Sequence, residues 1–351
     1  MSVPTTRTSR RTAVAAAVAV AVAAGGTLTL AGTASAHTSG SQVTAAKLTK
    51  GLYQSSYSER NDVLWVTAAV GRPPVTESHL LKVDPRTLEI EADHTPPVTD
   101  TATGAVEAVY GVAVDDEHNT VWTTNTRDNT VSVYSQRTGE RLAGLPDIAH
   151  AREIVVDERH DTVWASGYGD GTLVAFDSRT FKEKKRVTVE GAGPTGLTLN
   201  EKTGTLYAAD LGNDRLIELK RGSATPRFLP AGDGPVSVSL SKNGRTAYTA
   251  DQTSGTLSVI DLREGTVTKS VATGAGALSV ATDERSGDVV VVNRTAATVT
   301  VVDPREGVVE ETVATGANPN HVEIADGTAY VTDKSGATQT EDTLTRIRLA
   351  R

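Results

Sequence analysis

A seven-bladed β-propeller, all-β with four-stranded antiparallel blades around a central channel, is the fold class this sequence predicts. Three observations predict it: a unit that recurs roughly every 42 residues, four short strands in each unit, and a last unit that stops one strand short. The second strand of the unit carries an aromatic at Trp65, Trp122, Trp164, Tyr207, Tyr248 and Tyr330, with Val290 in the sixth copy. The third strand reads HLLKVD, TVSVYS, TLVAFD, RLIELK, TLSVID, TVTVVD and TLTRIR. Its apolar-polar alternation and β-branched enrichment have the period of a strand, not of a helix. First strands recur as YGVAVD, REIVVD, TGLTLN, VSVSLS, LSVATD and NHVEIA, with LYQSSYS as a degraded first copy. A lone sheet of this kind cannot bury both faces, whereas sheets stacked around a channel cover one another. An open solenoid would need exposed edges or special caps, and the sequence carries no sign of either.

The last copy ends at Arg351 after its third strand, while other copies continue into a fourth such as TKSVATG or EETVATG. Residues 43–50 precede the first inner strand and are expected to pair onto the last blade, tying the chain ends together and removing two free edges.

Ahead of the repeats lie Arg7, Arg10 and Arg11, an uncharged Ala/Val run at 13–24, and Ala34-Ser35-Ala36. That order is expected to be a secretory signal over 1–36 with an A-x-A cleavage site, followed by a short tail at 37–42 and one propeller domain at 43–351. Ser9-Arg10-Arg11 matches the paired-arginine element of twin-arginine export, although Ala13-Val14-Ala15 replaces the usual residues after it, so the route stays open. The expected location is secreted, extracellular or in a bacterial envelope, with no membrane span in the mature form. The chain has no Cys, which excludes disulfides, c-type haem attachment and thiolate metal sites. Its net charge is −8, and loss of the signal's arginines makes it more acidic, which disfavours a large non-specific phosphate-binding surface.

The whole of residues 45–351 resembles the YncE-type propellers with YVTN-like repeats. The blocks that carry the resemblance are GLYQSSYSERNDVLWV, VDPRTLEI, AREIVVD and the terminal TLTRIRLAR. The second strands depart from a strict YVTN signature, reading VWTTN, VWASG, LYAAD, AYTAD, VVVVN and AYVTD. The resemblance implies an exported seven-bladed propeller with no settled enzymatic role, for which single-stranded DNA binding has been proposed. It supplies no catalytic motif.

Candidate site residues come from the repeat alignment. The loops between second and third strands are longest in the first and last blades, which ring closure makes neighbours; they hold or adjoin Arg72, Glu77, Lys334, Glu341 and Asp342. At the first channel-facing position of the inner strands the copies carry Tyr53, Tyr110, Arg152, Thr195, Val236, Leu278 and Asn320. At the next they carry Gln54, Gly111, Glu153, Gly196, Ser237, Ser279 and His321. Gly and Ser there suit close packing between blades. Glu153 and His321, followed by Glu323, break that rule and need partners if buried. Together Tyr53, Arg72, Tyr110, Arg152, Glu153, Asn320, His321 and Lys334 are expected to form a ligand-binding mouth; the competing reading is an internal hydrogen-bond network.

Asn125, Asp210, Asp251, Asn293 and Asp333 recur at the ends of second strands, and Asp84, Asp177, Asp261 and Asp303 follow or close third strands. Both sets are expected to shape turns, and no metal or cofactor is expected. The run 182–186 is a basic strand edge and the densest basic patch. There is no HExxH, nucleophile elbow or P-loop. Three functions remain open. The leading one is a non-enzymatic binding propeller, with single-stranded DNA meeting Tyr53, Tyr110, Arg152, Arg72 and Lys334. The others are a lyase or hydrolase using His321 with Glu323 or Glu153, and a cell-surface scaffold for protein or glycan.

Overall fold

The structure is a computed structural model, and it describes residues 40–334 and 340–350. The expected signal over 1–36 and the start of the tail lie outside the described residues. Among the described residues there are seven four-stranded antiparallel sheets and one small two-stranded sheet. Among the described residues helix is confined to a single 3-10 turn at Glu158–His160, and none is long and apolar enough to cross a membrane. The chain is a seven-bladed propeller.

The inner strands are Leu52–Ser58, Val112–Asp115, Ala151–Asp157, Pro194–Asn200, Pro235–Leu240, Ala277–Thr282 and Pro319–Ala325. Each lies beside the inner strand of both neighbouring blades, and Leu52–Ser58 lies against Pro319–Ala325, so the ring is closed. Blade seven is completed by the N-terminal strand Gln42–Lys47, which pairs antiparallel with Thr343–Arg348 from Gln42↔Arg348 to Lys47↔Thr343. The strand expected from residues 43–50 is thus present, starting one residue earlier and ending three residues earlier, at Lys47.

The repeated aromatic has one job in every blade. Trp65 packs with Val112 and Val121 of blade two, Trp122 with Ile154 and Val163 of blade three, and Trp164 with Leu197 and Leu206 of blade four. Tyr207, Tyr248, Val290 and Tyr330 do the same toward the blade that follows each of them, the last reaching Leu52 and Leu64 of blade one. The core is therefore seven apolar clusters between blades rather than one centre. Burying a large side chain at every interface is what fixes the ring, since each aromatic brings about 150–250 Å² of surface out of water.

The small residues beside the channel are required by the same packing. A Cβ on Gly111 would stand 2.8 Å from the Arg152 carbonyl oxygen, and one on Gly196 2.6 Å from the Ser237 Cα, both in the adjoining blade. The Asp residues after third strands form Asx turns: Asp84, Asp177, Asp261 and Asp303 each accept from the backbone N–H groups two and three residues on.

One element has no counterpart in the repeat alignment. Between blades one and two the chain inserts a hairpin, Val98–Asp100 with Ala105–Val106. The Val106 N–H donates to the Val75 carbonyl (2.8 Å), and Val75 packs with Ala69, Ala108, Tyr110 and Tyr53. Loop 70–77 and this hairpin together raise a ledge over one side of the ring. The corresponding turns of blades two to six are short, at 126–129, 168–171, 211–214, 252–255 and 294–297. The other long loop, 334–342, belongs to blade seven, and its residues 335–339 lie outside the described residues.

Candidate functional site at the channel mouth

Inner-strand residues alternate faces in a regular strand, so neighbours such as Arg152 and Glu153 should not both reach a channel. They do so because the ladder shifts register there: between Leu52 and Ser55, Ala151 and Ile154, Pro194 and Leu197, Pro235 and Ser237, Ala277 and Ser279, and Pro319 and His321. A bulge of this kind re-aims side chains, and here it repeats around the ring. Consecutive residues consequently form two tiers, one at the mouth and one deeper.

A cavity of about 370 Å³ opens at the mouth. Of the sequence-derived candidates, Tyr53, Arg152, Glu153, Asn320, His321 and Lys334 line it. Tyr110 stands just behind: its ring meets that of Tyr53 edge-on, centroids 4.9 Å apart and planes at 82°. Arg72 is exposed on loop 70–77 and does not line the cavity. The reason is that this loop folds toward the blade-two hairpin, with Val75 as its buried anchor. At the end of the blade-seven loop the buried Asp342 carboxylate accepts from the Gly51 and Leu52 N–H groups at 2.6 and 3.1 Å, fixing Asp342 to the start of blade one.

Arg294 and Gln252 also line the cavity and were not among the sequence candidates. Both immediately follow members of the recurring Asn/Asp set, as Lys334 does. That shared offset is the signal that would have found them. The Asn/Asp set itself joins strands: Asn125 donates to Thr130 and Ser132, Asp251 accepts from Thr249, Thr256 and Ser258, and Asp210 pairs with Arg215 at 2.7 Å.

The upper tier is cationic. Lys334 Nζ lies 5.2 Å from the Tyr53 ring centroid and 5.9 Å from that of Tyr110. Burial, helped by Arg294 and Arg127 and opposed by Asp342, holds its pKa below the ordinary lysine value. Arg294 donates to Asn320 Oδ1, and Asn320 donates in turn to the Tyr53 carbonyl oxygen (2.8 Å). The Arg152 guanidinium is 5.9 Å from the Tyr168 ring. Among the described residues, Arg152, Arg294 and Lys334 form no ion pair with an acid, whereas Arg141, Arg186 and Arg215 elsewhere do.

The lower tier is titratable. Glu153 accepts from Gln54 Nε2 (3.0 Å) and the Ile154 N–H (3.3 Å), and Gln54 accepts from the Val112 N–H (3.2 Å). Burial pushes the Glu153 carboxyl up to about 7. His321 Nδ1 accepts from the Ser55 N–H at 3.4 Å, which leaves the proton of the neutral ring on Nε2; burial takes its pKa down to about 4. Two residues deeper, Glu323 accepts from the Tyr57 N–H (3.0 Å), and burial together with Glu153 raises it to about 7. Glu153 and His321 line both the mouth cavity and the channel below, so they form its waist. At neutral pH this tier offers a half-ionised carboxyl and a neutral imidazole under a ring of cations. Such a set can hold an anion, exchange a proton, or do both.

The three-residue group Glu117, His118 and Asp161 on the opposite rim could bring ligand atoms together around a cation. Arg179 already occupies it, pairing with Asp161 at 2.9 Å and Glu117 at 3.8 Å.

No protein-family model matches the chain, and no curated protein matches its sequence. Solved structures do. A streptogramin B lyase structure aligns over 89% of this chain and 100% of its own, with a TM-score of 0.69 at 12% identity. A virginiamycin B lyase from Staphylococcus aureus aligns over 88% of this chain and 100% of its own, with a TM-score of 0.67 at 12% identity. At that identity the likeness is one of architecture, and it establishes the chain as a seven-bladed propeller sharing its fold with these lyases.

Proposed function

We propose that this protein is a binding propeller whose channel mouth takes a small anionic ligand, a carboxylate or a phosphate. The observation that carries the reading is the convergence of Arg152, Arg294 and Lys334 on one cavity, none paired with an acid among the described residues, in a chain of net charge −8. Gathering like charges is costly unless an anion completes them. Tyr53 and Tyr110 give the site an aromatic wall. The cations converge inside a cavity instead of lying along a groove, which favours a small ligand over a polymer such as single-stranded DNA. Export to the cell envelope or beyond, read from the N-terminal segment, belongs to the same proposal.

Titration calorimetry with inorganic phosphate, butyrate and ethyl phosphate at low ionic strength tests it. Saturable binding that weakens with salt and drops about tenfold or more in Arg294→Gln is expected, since a charge-assisted hydrogen bond is lost. Failure of all three probes to bind overturns the reading. A labelled single-stranded oligonucleotide binding tightly across the same salt series, while the small anions do not, would favour DNA instead.

A second reading, acid-base chemistry at the same mouth, is favoured by the half-ionised Glu153 beside neutral His321. The two structural neighbours being lyases gives it a first substrate to try. Incubation with virginiamycin B, followed by chromatography, should show consumption that Glu153→Gln abolishes with the fold intact; an unchanged substrate removes this neighbour's activity from consideration.

A further inference from the structure

The channel is polarised along its axis. Arg152, Arg294 and Lys334 stand at the mouth, Glu153 lies one residue deeper on the same strand as Arg152, and Glu323 lies two residues deeper than His321 on the inner strand of blade seven. A strand rises about 3.3 Å per residue, so cation and carboxyl tiers are separated by no more than the length of a few bonds. Arg152, Arg294 and Lys334 line the cavity of about 370 Å³ together with Glu153 and His321, and Glu323 lines the channel below. A purely anionic ligand satisfies the upper tier and leaves its tail facing Glu153, where a negative or apolar end gains nothing. The groups around Glu153 are Gln54 and Arg152; His321, Arg294 and Lys334 share the mouth cavity with it, and His321 and Glu323 share the channel below. His321 is neutral, so no side chain of the lower tier is itself a cation that could neutralise the carboxyls.

Resting on the anion-binding reading above, we infer that the natural ligand is amphoteric: its carboxylate or phosphate is held by Arg152, Arg294 and Lys334, and an ammonium group at its other end reaches the Glu153 carboxyl. The ammonium supplies the charge that the lower tier lacks. Proton linkage then gives the inference a signature that simple anion binding does not have. Glu153 titrates near neutrality in the empty site. A bound ammonium favours its ionised form, so the complex releases protons at about pH 7. A carboxylate alone lowers no carboxyl pKa; it favours the charged form of Lys334 and raises the pKa values of Glu153 and Glu323, so it takes protons up or leaves their number unchanged, whereas a phosphate monoester, with its own second pKa near about 6, also sheds a proton on meeting the cations and is read only against its partner compound.

The test compares matched pairs on the full-length protein: butyrate against γ-aminobutyrate, and ethyl phosphate against phosphoethanolamine. Each pair differs by a terminal ammonium, and the two pairs separate a carboxylate ligand from a phosphate one. Calorimetry in buffers of different ionisation enthalpy reads the proton count directly. In at least one pair the amino compound should bind about tenfold or more tightly than its partner and release more protons than its partner does at about pH 7, and Glu153→Gln should erase both differences. Because the ligand pairs carry the comparison in the unaltered protein, the result does not depend on that variant folding. Equal affinity within both pairs, or proton uptake with the amino compounds, overturns the inference while leaving anion binding standing. Failure of every compound to bind overturns the anion reading itself.

Discussion

Glu323→Gln replaces a carboxyl that the fold holds near half-ionisation with an amide that still accepts the Tyr57 N–H. Burial, and then the charge of Glu153, raises the folded pKa to about 7 from an ordinary 4.5. The folded protein therefore holds more protons than the unfolded chain between these values. Stability falls as pH rises through that window, and the loss is complete above it. The rise from 4.5 to about 7 corresponds to roughly 3 kcal/mol. The partial exposure of Glu323 and its shared titration with Glu153 reduce the expected effect to about 1–2 kcal/mol. The variant should match the wild type near pH 4 and exceed it by that amount, or roughly 2–4 °C, at about pH 8. His321 works in the opposite sense: its folded pKa of about 4 lies below the ordinary 6.5, so its contribution is present above 6.5 and lost as pH falls through 4. That term is common to both proteins and cancels in the difference. Thermal and urea unfolding of the pair across this range decides the matter. A variant no more stable than wild type at the alkaline end would refute the account of a carboxyl raised by burial and by the charge of Glu153.

Three further outcomes follow from the fold and the site. Trp122→Ala empties the interface between blades two and three and should cost about 3–5 kcal/mol in urea unfolding; a loss under about 1 kcal/mol would mean the interface is held by something else. Asp342→Ala strands the Gly51 and Leu52 N–H groups and should cost about 1–3 kcal/mol while weakening anion binding through the loosened Lys334 loop; unchanged stability and affinity would show the contact to be idle. Arg72→Gln should leave phosphate affinity within about twofold of wild type, where Arg294→Gln does not; equal losses would mean that loop 70–77 reaches the ligand after all.

Architecture was legible because the repeat writes the same physical demand seven times. The aromatic of six of the seven second strands marks an interface, and the pairing of Gln42–Lys47 with Thr343–Arg348 completes the last blade as the N-terminal segment led one to expect. The mouth was legible where a residue broke the repeat, as Glu153 and His321 do against the Gly and Ser of other blades. Arg294 stayed hidden because its aligned neighbours, Thr126, Tyr168, Leu211 and Gln252, share a position and no chemistry. The hairpin at 98–106 left only a long interval between Trp65 and Trp122, with no alternation to fill it. Arg72 misled because loop length says nothing about which way a loop leans, and a single buried Val75 decided that. The bulges were invisible for a related reason: strict alternation assigns Arg152 and Glu153 to opposite faces, and only the register shift brings them together.

The strand Gln42–Lys47 leaves one mechanical consequence. Gln42 is opposite Arg348, so both chain ends depart from the same end of the strand pair. Force applied through the two termini peels the backbone hydrogen bonds open one after another, as a zipper opens, instead of loading them all together. A tether at one terminus alone leaves the zipper shut. The ring should thus resist heat and denaturant far better than it resists being pulled from both ends at once.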